Sequence, residues 1–401
     1  MNPPSLPPPG SDRHWTRRAW LAASLGGLAA IGCSRQKSIT AAGDEGVIRI
    51  LLPAGFFASR QYENDSNLVR DEDSPMNVVA EFEEESGIKI DITYFSSSEE
   101  LAHALANEDA PYHVAMLSAF ASKRLYSLGW LAPLSPTEIP NILGVNAKRF
   151  RLAFDPNLSM TVPYFWSAVG IAYNINYVDG LPMSWGDFFA RNWSRDATKL
   201  NVAIFDNGPA VLATTLIHLG YSPETTNAQE IEAAGKLLTA SRDRFGSIEL
   251  QIREKLRNGS VHLALALSAD VAHATRANKR VRLALPRDGS VVISGSLVAL
   301  RPPSERPALG TNDAPGGNST PGQASKFIDY LLRPEVVARL TNLSNFATTV
   351  ADALPSISHS ITHGAAYFSN ANGKDFHLER IETPTMAVYD RVWREVKSKW
   401  S

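Results

Sequence analysis

Apolar positions along this chain follow two spacings that alternate, one continuous or of period two, the other of three to four residues. Gly46 to Leu52 is β-branched and apolar, as a buried strand is. Pro75 to Ser86 follows with Val78, Val79 and Phe82 on one helical face; Pro75 suits a first turn and Gly87 a helix end. Ile88 to Phe95 alternates like a strand. Glu99 to Ala106 reads as helix, His113 to Leu117 as strand, and Ala121 to Leu128 as a helix closed by Gly129. The alternation resumes with a strand over Leu200 to Phe205, helices over Ala210 to Leu219 and Ala228 to Ser241, and strands over Val261 to Leu267 and Val281 to Ala284. Such alternation predicts an α/β fold with mainly parallel sheet covered on both faces. Val169 to Asn174 and Val291 to Leu300 are extended and apolar, lie at seams between two such patterns, and read as strands carrying the chain between lobes. Residues 302–323 are rich in Pro, Gly, Ser and Asn and read as a flexible surface insertion. Helix returns at Ala324 to Leu332, and Arg333-Pro334 begins the next.

The first 32 residues follow another pattern. A proline-rich start gives way to Arg13, Arg17 and Arg18, then to an apolar run from Ala19 to Ile31 ending at Gly32-Cys33. Basic, apolar and small segments in that order are the layout of a secretion signal. The run is shorter than the roughly 20 residues that span a bilayer. Thr16-Arg17-Arg18-Ala19-Trp20-Leu21 resembles the twin-arginine export motif. Ala30-Ile31-Gly32-Cys33 resembles a lipobox, with Ala where Leu is usual; Cys33 would then be lipidated and begin the mature chain. Residues 33–46 are small and polar and read as a tether.

Composition narrows the function by exclusion. Cys33 is the single cysteine, so no disulfide forms within the chain and the body holds no thiolate chemistry or cysteine metal ligand. With 39 basic and 41 acidic residues the charge is balanced, and nothing points to nucleic acid. Nucleophile-elbow, phosphate-loop and dinucleotide patterns are absent. His359 and His363 are four apart, yet serine-rich surroundings and Pro355 favour a solvated loop over a metal site. These readings imply no enzyme, no cofactor and no metal.

From Ile48 to Trp400 the chain resembles the periplasmic spermidine/putrescine-binding proteins of ABC importers. The likeness rests on Leu128-Gly129-Trp130-Leu131-Ala132-Pro133-Leu134, Phe154-Asp155-Pro156-Asn157, Val162-Pro163-Tyr164-Phe165-Trp166 and Gly170-Ile171-Ala172-Tyr173-Asn174. Ser184-Trp185-Gly186-Asp187-Phe188, Leu219-Gly220-Tyr221-Ser222 and Ile328-Asp329-Tyr330-Leu331-Leu332-Arg333-Pro334 follow in the same order. The resemblance implies a two-lobed, type II-like binding-protein fold. Two mixed sheets flanked by helices would be joined by crossing hinge strands near Asn174 and Gly295, with ligand in the cleft. Lobe 1 would comprise residues 47–174 and 295–354, and lobe 2 residues 175–294 and 355–401. It also implies a monomeric extracytoplasmic receptor, working with an ABC permease and its ATPase on a small-molecule ligand, and the lipobox-like Cys33 would anchor it to the membrane.

Carried over residue by residue, the ligand site departs from the family. Its paired acidic positions fall on Asn207 and Ala210, with Asp206 adjacent; the acid at the second crossing falls on Gly295 and its nearby tryptophan on Ile293. Another cleft tryptophan falls on Leu267. Phe56 and Phe57 represent the first aromatic cluster, Ser118 and Phe120 keep a serine-x-aromatic pattern, a tyrosine becomes Phe346, and a glutamine becomes Glu379. Trp166 reads equally as cleft wall or core, and Asp206 as ligand contact or helix cap. Each lost charge-assisted contact costs about 1.5–3 kcal/mol. The expectation is therefore a polyamine-type fold with altered ligand choice, unless Asp206, Asp270 or Glu379 compensates. Receptors for an anion, a sugar or a metal, or an envelope protein or enzyme on the same scaffold, are the alternatives.

Overall fold

The computed structural model describes residues 46–53, 75–95, 98–106, 111–146, 150, 152–190, 200–307, 322–364, 374–378, 381 and 383–400. Cys33, Phe56, Phe57 and Glu379 lie outside these, as do the signal, most of the tether and residues 308–321. The strands are β1 Val47–Pro53, β2 Lys89–Phe95, β3 Val114–Ser118, β4 Leu131–Ala132, β5 Val162–Asn174, β6 Val202–Phe205, β7 Ser247–Glu249, β8 Leu263–Leu267, β9 Val281–Ala284, β10 Ser290–Leu300, β11 Ala347–Thr348 and β12 Asp375–His377. The helices are α1 Pro75–Ser86, α2 Ser98–Ala106, α3 Ala119–Ser127, α4 Trp185–Ala190, α5 Gly208–His218, α6 Ala228–Ala240, α7 Ile252–Arg257, α8 Ser268–Ala277, α9 Gly322–Leu331, α10 Pro334–Ser344, α11 His359–Thr362 and α12 Thr383–Trp400.

Two mixed sheets share one strand. In the first, β2, β1 and β3 run parallel, β10 lies antiparallel to β3, and β5 antiparallel to β10. In the second, β5 pairs antiparallel with β8 and β9, and β8, β6 and β7 run parallel. β5 pairs with β10 from Val162 to Ala168 and with β8 from Val169 to Tyr173. All thirteen of its residues are buried, which explains why it reads as nearly unbroken apolar sequence. Each sheet has its own core. One gathers Val78, Phe82, Phe327 and Tyr330 against β1 and β10; the other gathers Trp185, Phe188, Phe245 and Tyr389 against β6 and β8. The chain is thus an α/β protein of two lobes.

Differences from the sequence reading have local causes. The strand expected to begin at Val169 begins at Val162, so Pro163-Tyr164-Phe165-Trp166 is extended and part of it. Pro163 is tolerated because it faces Ser296 where the register of β10 slips, a place where a ladder bond is lost in any case. Helices α4, α8 and α12 do not stand out in the hydrophobic pattern. In α12, Met386, Tyr389, Val392, Trp393 and Val396 form a buried stripe diluted by Arg391, Arg394, Glu395 and the lysines. His359 and His363 lie on and just after a single helical turn, not a loop, with rings stacked 3.6 Å apart. Asp155, from one of the motifs that carry the resemblance, is structural. Its buried carboxylate accepts hydrogen bonds from the backbone of Ser159, Met160 and Thr161 and from the hydroxyls of Ser159 and Thr161.

Candidate functional site

The carboxyl ends of β3, β6 and β8 each run directly into a helix, α3, α5 and α8. In open α/β sheets this is the end where ligands bind. Ser118 ends β3 and caps α3, its Oγ accepting from Ala121 N at 3.2 Å. Asn207 ends the β6 turn and caps α5, its Oδ1 accepting from Ala210 N at 3.1 Å. Asn207 thus takes the capping role that sequence reading offered to Asp206.

Asp206 turns to its own lobe instead. Its Oδ1 accepts from Trp393 Nε1 at 2.9 Å and its Oδ2 from Lys397 Nζ at 3.3 Å, both on α12. Gly208 lets this approach happen, because a Cβ there would overlap the Trp393 ring. Asp270, at the start of α8, pairs with Arg253 Nε at 2.9 Å. Both carboxylates are compensated within lobe 2.

Helix α8 has no capping side chain of its own at Leu267. Ser167, on β5 where the strand changes sheets, supplies one: its Oγ accepts from Ala269 N at 3.2 Å. The Ser167 and Ser268 hydroxyls lie 2.9 Å apart, and Ser268 Oγ accepts from Ala168 N at 3.1 Å. Ala269 packs into the first lobe's core while Val271 and Ala274 belong to the second. At the far end of α8, the Arg276 guanidinium donates to Asn342 O at 2.6 Å and Asn345 Oδ1 at 2.9 Å, at the carboxyl end of α10. His273, on the same helix, has its pKa pulled down to about 4 by burial, then by Arg253 and Arg276.

Ser118, Gly295 and Phe165 are direct partners across β3, β10 and β5. Phe346 packs against Phe165 with ring centroids 4.5 Å apart. Phe120 reaches the other lobe, edge-on to Tyr389 at 6.4 Å, and nearby Arg124 pairs with Asp390 at 2.8 Å. Trp166 points to the opposite side of β5, stacked on Phe150 at 5.3 Å and almost fully buried. The structure therefore brings Ser118, Phe120, Gly295 and Phe346 to the seam between lobes, and holds Asp206 and Trp166 in other contacts. Phe165, Ser167 and Arg276 are further seam residues. Only the alternation along β5, once Val162 is known to begin it, marks the first two. Among the described residues no group of three or more His, Cys, Asp or Glu is placed to hold a metal. Phe120, Phe165 and Phe346, with the Ser118 and Ser167 hydroxyls, make this seam the candidate site.

Comparison with known proteins agrees with that geometry. The bacterial extracellular solute-binding protein family matches residues 77–367. The putrescine-binding periplasmic protein PotF of Escherichia coli is 25% identical over 340 residues, covering 80% of this chain and 88% of PotF. The putrescine/agmatine-binding protein of Pseudomonas aeruginosa is 27% identical over 334 residues, covering 79% of this chain and 87% of its own. The spermidine/putrescine substrate-binding protein PotD of Streptococcus pneumoniae shares the fold with a TM-score of 0.67 at 18% identity, covering 89% of this chain and all of PotD. With most of its length matched and two cores joined through β5 and β10, the chain belongs to the bacterial extracellular solute-binding protein family.

Proposed function

We propose that this protein is the receptor of an ABC importer for amine-bearing solutes of the polyamine type, with a ligand choice altered from that of its named relatives. The observation that carries the altered choice is the pairing of Asp206 with Trp393 and Lys397 and of Asp270 with Arg253, beside a Gly295 that bears no side chain. A polycation entering the cleft loses hydration and needs carboxylates in return. Those two are already engaged. Ligand binding between lobes joined by β5 and β10 would shift an open–closed equilibrium. The N-terminal signal supports export and a lipid on Cys33, which would hold a monomeric receptor at the membrane beside its permease and ATPase.

Titration calorimetry with putrescine and spermidine tests the ligand. Binding weaker than micromolar is expected for both, and sub-micromolar binding of either ends the altered-choice reading. Expression with Cys33→Ser, followed by membrane fractionation, tests the anchor. The variant is expected in the soluble fraction, and membrane association equal to wild type overturns lipidation at Cys33.

A further inference from the structure

The ring of Phe165 fills the space that any side chain at position 295 would need. Gly295 lies outside the positive-φ glycines, so backbone freedom is not why a glycine stands there. A Cβ added to it would overlap the Phe165 ring. Ser118, Gly295 and Phe165 sit directly opposite one another on adjacent strands, so their side-chain positions share one face of the sheet. Ser167, two residues along β5, shares that face and meets the start of α8 in the other lobe. The row therefore looks into the seam, at the carboxyl end of β3. Phe346 covers Phe165 from the side, and the two rings keep only 9% and 8% exposure. Little open ring face is left to receive a cation.

We propose that Phe165 is the specificity-determining side chain of the interlobe site, a neutral apolar wall that selects a solute presenting an uncharged segment there over one presenting a second ammonium group. An uncharged segment placed there leaves no charge without a partner. An ammonium group there loses water, and none of Ser118, Phe165, Gly295 and Phe346 offers it a counter-charge. This deepens the amine-receptor reading and rests on it.

The test compares n-butylamine with putrescine, which differ by one ammonium group, on wild type, Phe165→Leu, Gly295→Asp and the double variant. Thermal melting of each is measured first. Gly295→Asp alone is expected to melt below wild type, and adding Phe165→Leu is expected to recover most of the loss. The double variant is expected to bind putrescine at least tenfold more tightly than wild type. Phe165→Leu alone is expected to narrow the preference for butylamine. Gly295→Asp melting like wild type, a folded double variant with unchanged putrescine affinity, or an unchanged preference in Phe165→Leu each overturns the wall. Wild type binding neither amine removes the amine-receptor reading. The wall is then decided by whether the double variant gains putrescine binding.

Discussion

Five hydrogen bonds converge on the carboxylate of Asp155, and none of their donors has another described partner of similar quality nearby. Removing a buried acceptor leaves each donor to bear its own desolvation, about 1–3 kcal/mol apiece. Asp155→Ala is expected to lose more than about 3 kcal/mol in urea unfolding while leaving ligand choice alone. Asp206→Ala, which removes the acceptor of Trp393 Nε1 and one partner of Lys397, is expected to lose about 1.5–3 kcal/mol in the same measurement. If it changes ligand affinity more than stability, Asp206 belongs to the site after all. His273 gives the molecule a pH dependence. Its folded pKa, near 4, lies below its ordinary value of 6.5. Between those values the unfolded chain binds the extra proton, so stability falls as pH drops from 6.5 toward about 4. Melting temperatures across this window are expected to fall less in His273→Gln than in wild type. Equal slopes would show that His273 does not carry the effect.

Elements depend on partners that sequence windows do not contain. Helix α8 has no capping side chain at Leu267 and borrows Ser167, about a hundred residues away in sequence. Ser167→Ala would leave Ala269 N and Ser268 Oγ short of a buried partner. A loss of about 1–3 kcal/mol is expected by denaturant titration, whereas Ser167→Thr keeps the hydroxyl and should recover part of it. The helix-versus-strand reading succeeded where one lobe's own core dictates the pattern, as in β1, α1, β9 and α6. It fell short at β5, because a strand buried on both faces reads as a nearly unbroken apolar run, with no alternation of apolar and polar residues to mark its start. It also fell short at α12, whose apolar stripe packs on α5 and α6 while Arg391, Arg394, Glu395 and Lys399 are exposed.

For the whole molecule, side-chain contacts join the two lobes at both rims of the seam. Arg124 with Asp390 and Phe120 with Tyr389 join α3 to α12, and Arg276 joins α8 to the end of α10. The Arg124–Asp390 pair is about one-third exposed on each side, so its coupling is expected in the range of about 0.2–1 kcal/mol. Under the proposed open–closed equilibrium, Arg124→Ala should reduce the closed population by up to about fivefold, which spin-label distances between lobes would read. The charge-swapped pair Arg124→Asp with Asp390→Arg should restore it. Distances unchanged in the single variant would show that the rim contact does not bias closure.

Local sequence alone was enough for the α/β class, for most strands and helices, and for the likeness to polyamine receptors, because apolar period, turn residues and short motifs are written in consecutive residues. The resemblance, carried over residue by residue, offered Ser118, Phe120, Gly295 and Phe346 as ligand positions. Only the tertiary structure decided that Asp206 and Asp270 are already paired, that Asn207 is the cap of α5, and that Phe165 fills the space above Gly295. Those are contacts between chain segments far apart in sequence. Their partners are chosen by how two lobes pack, which no local pattern of residues encodes.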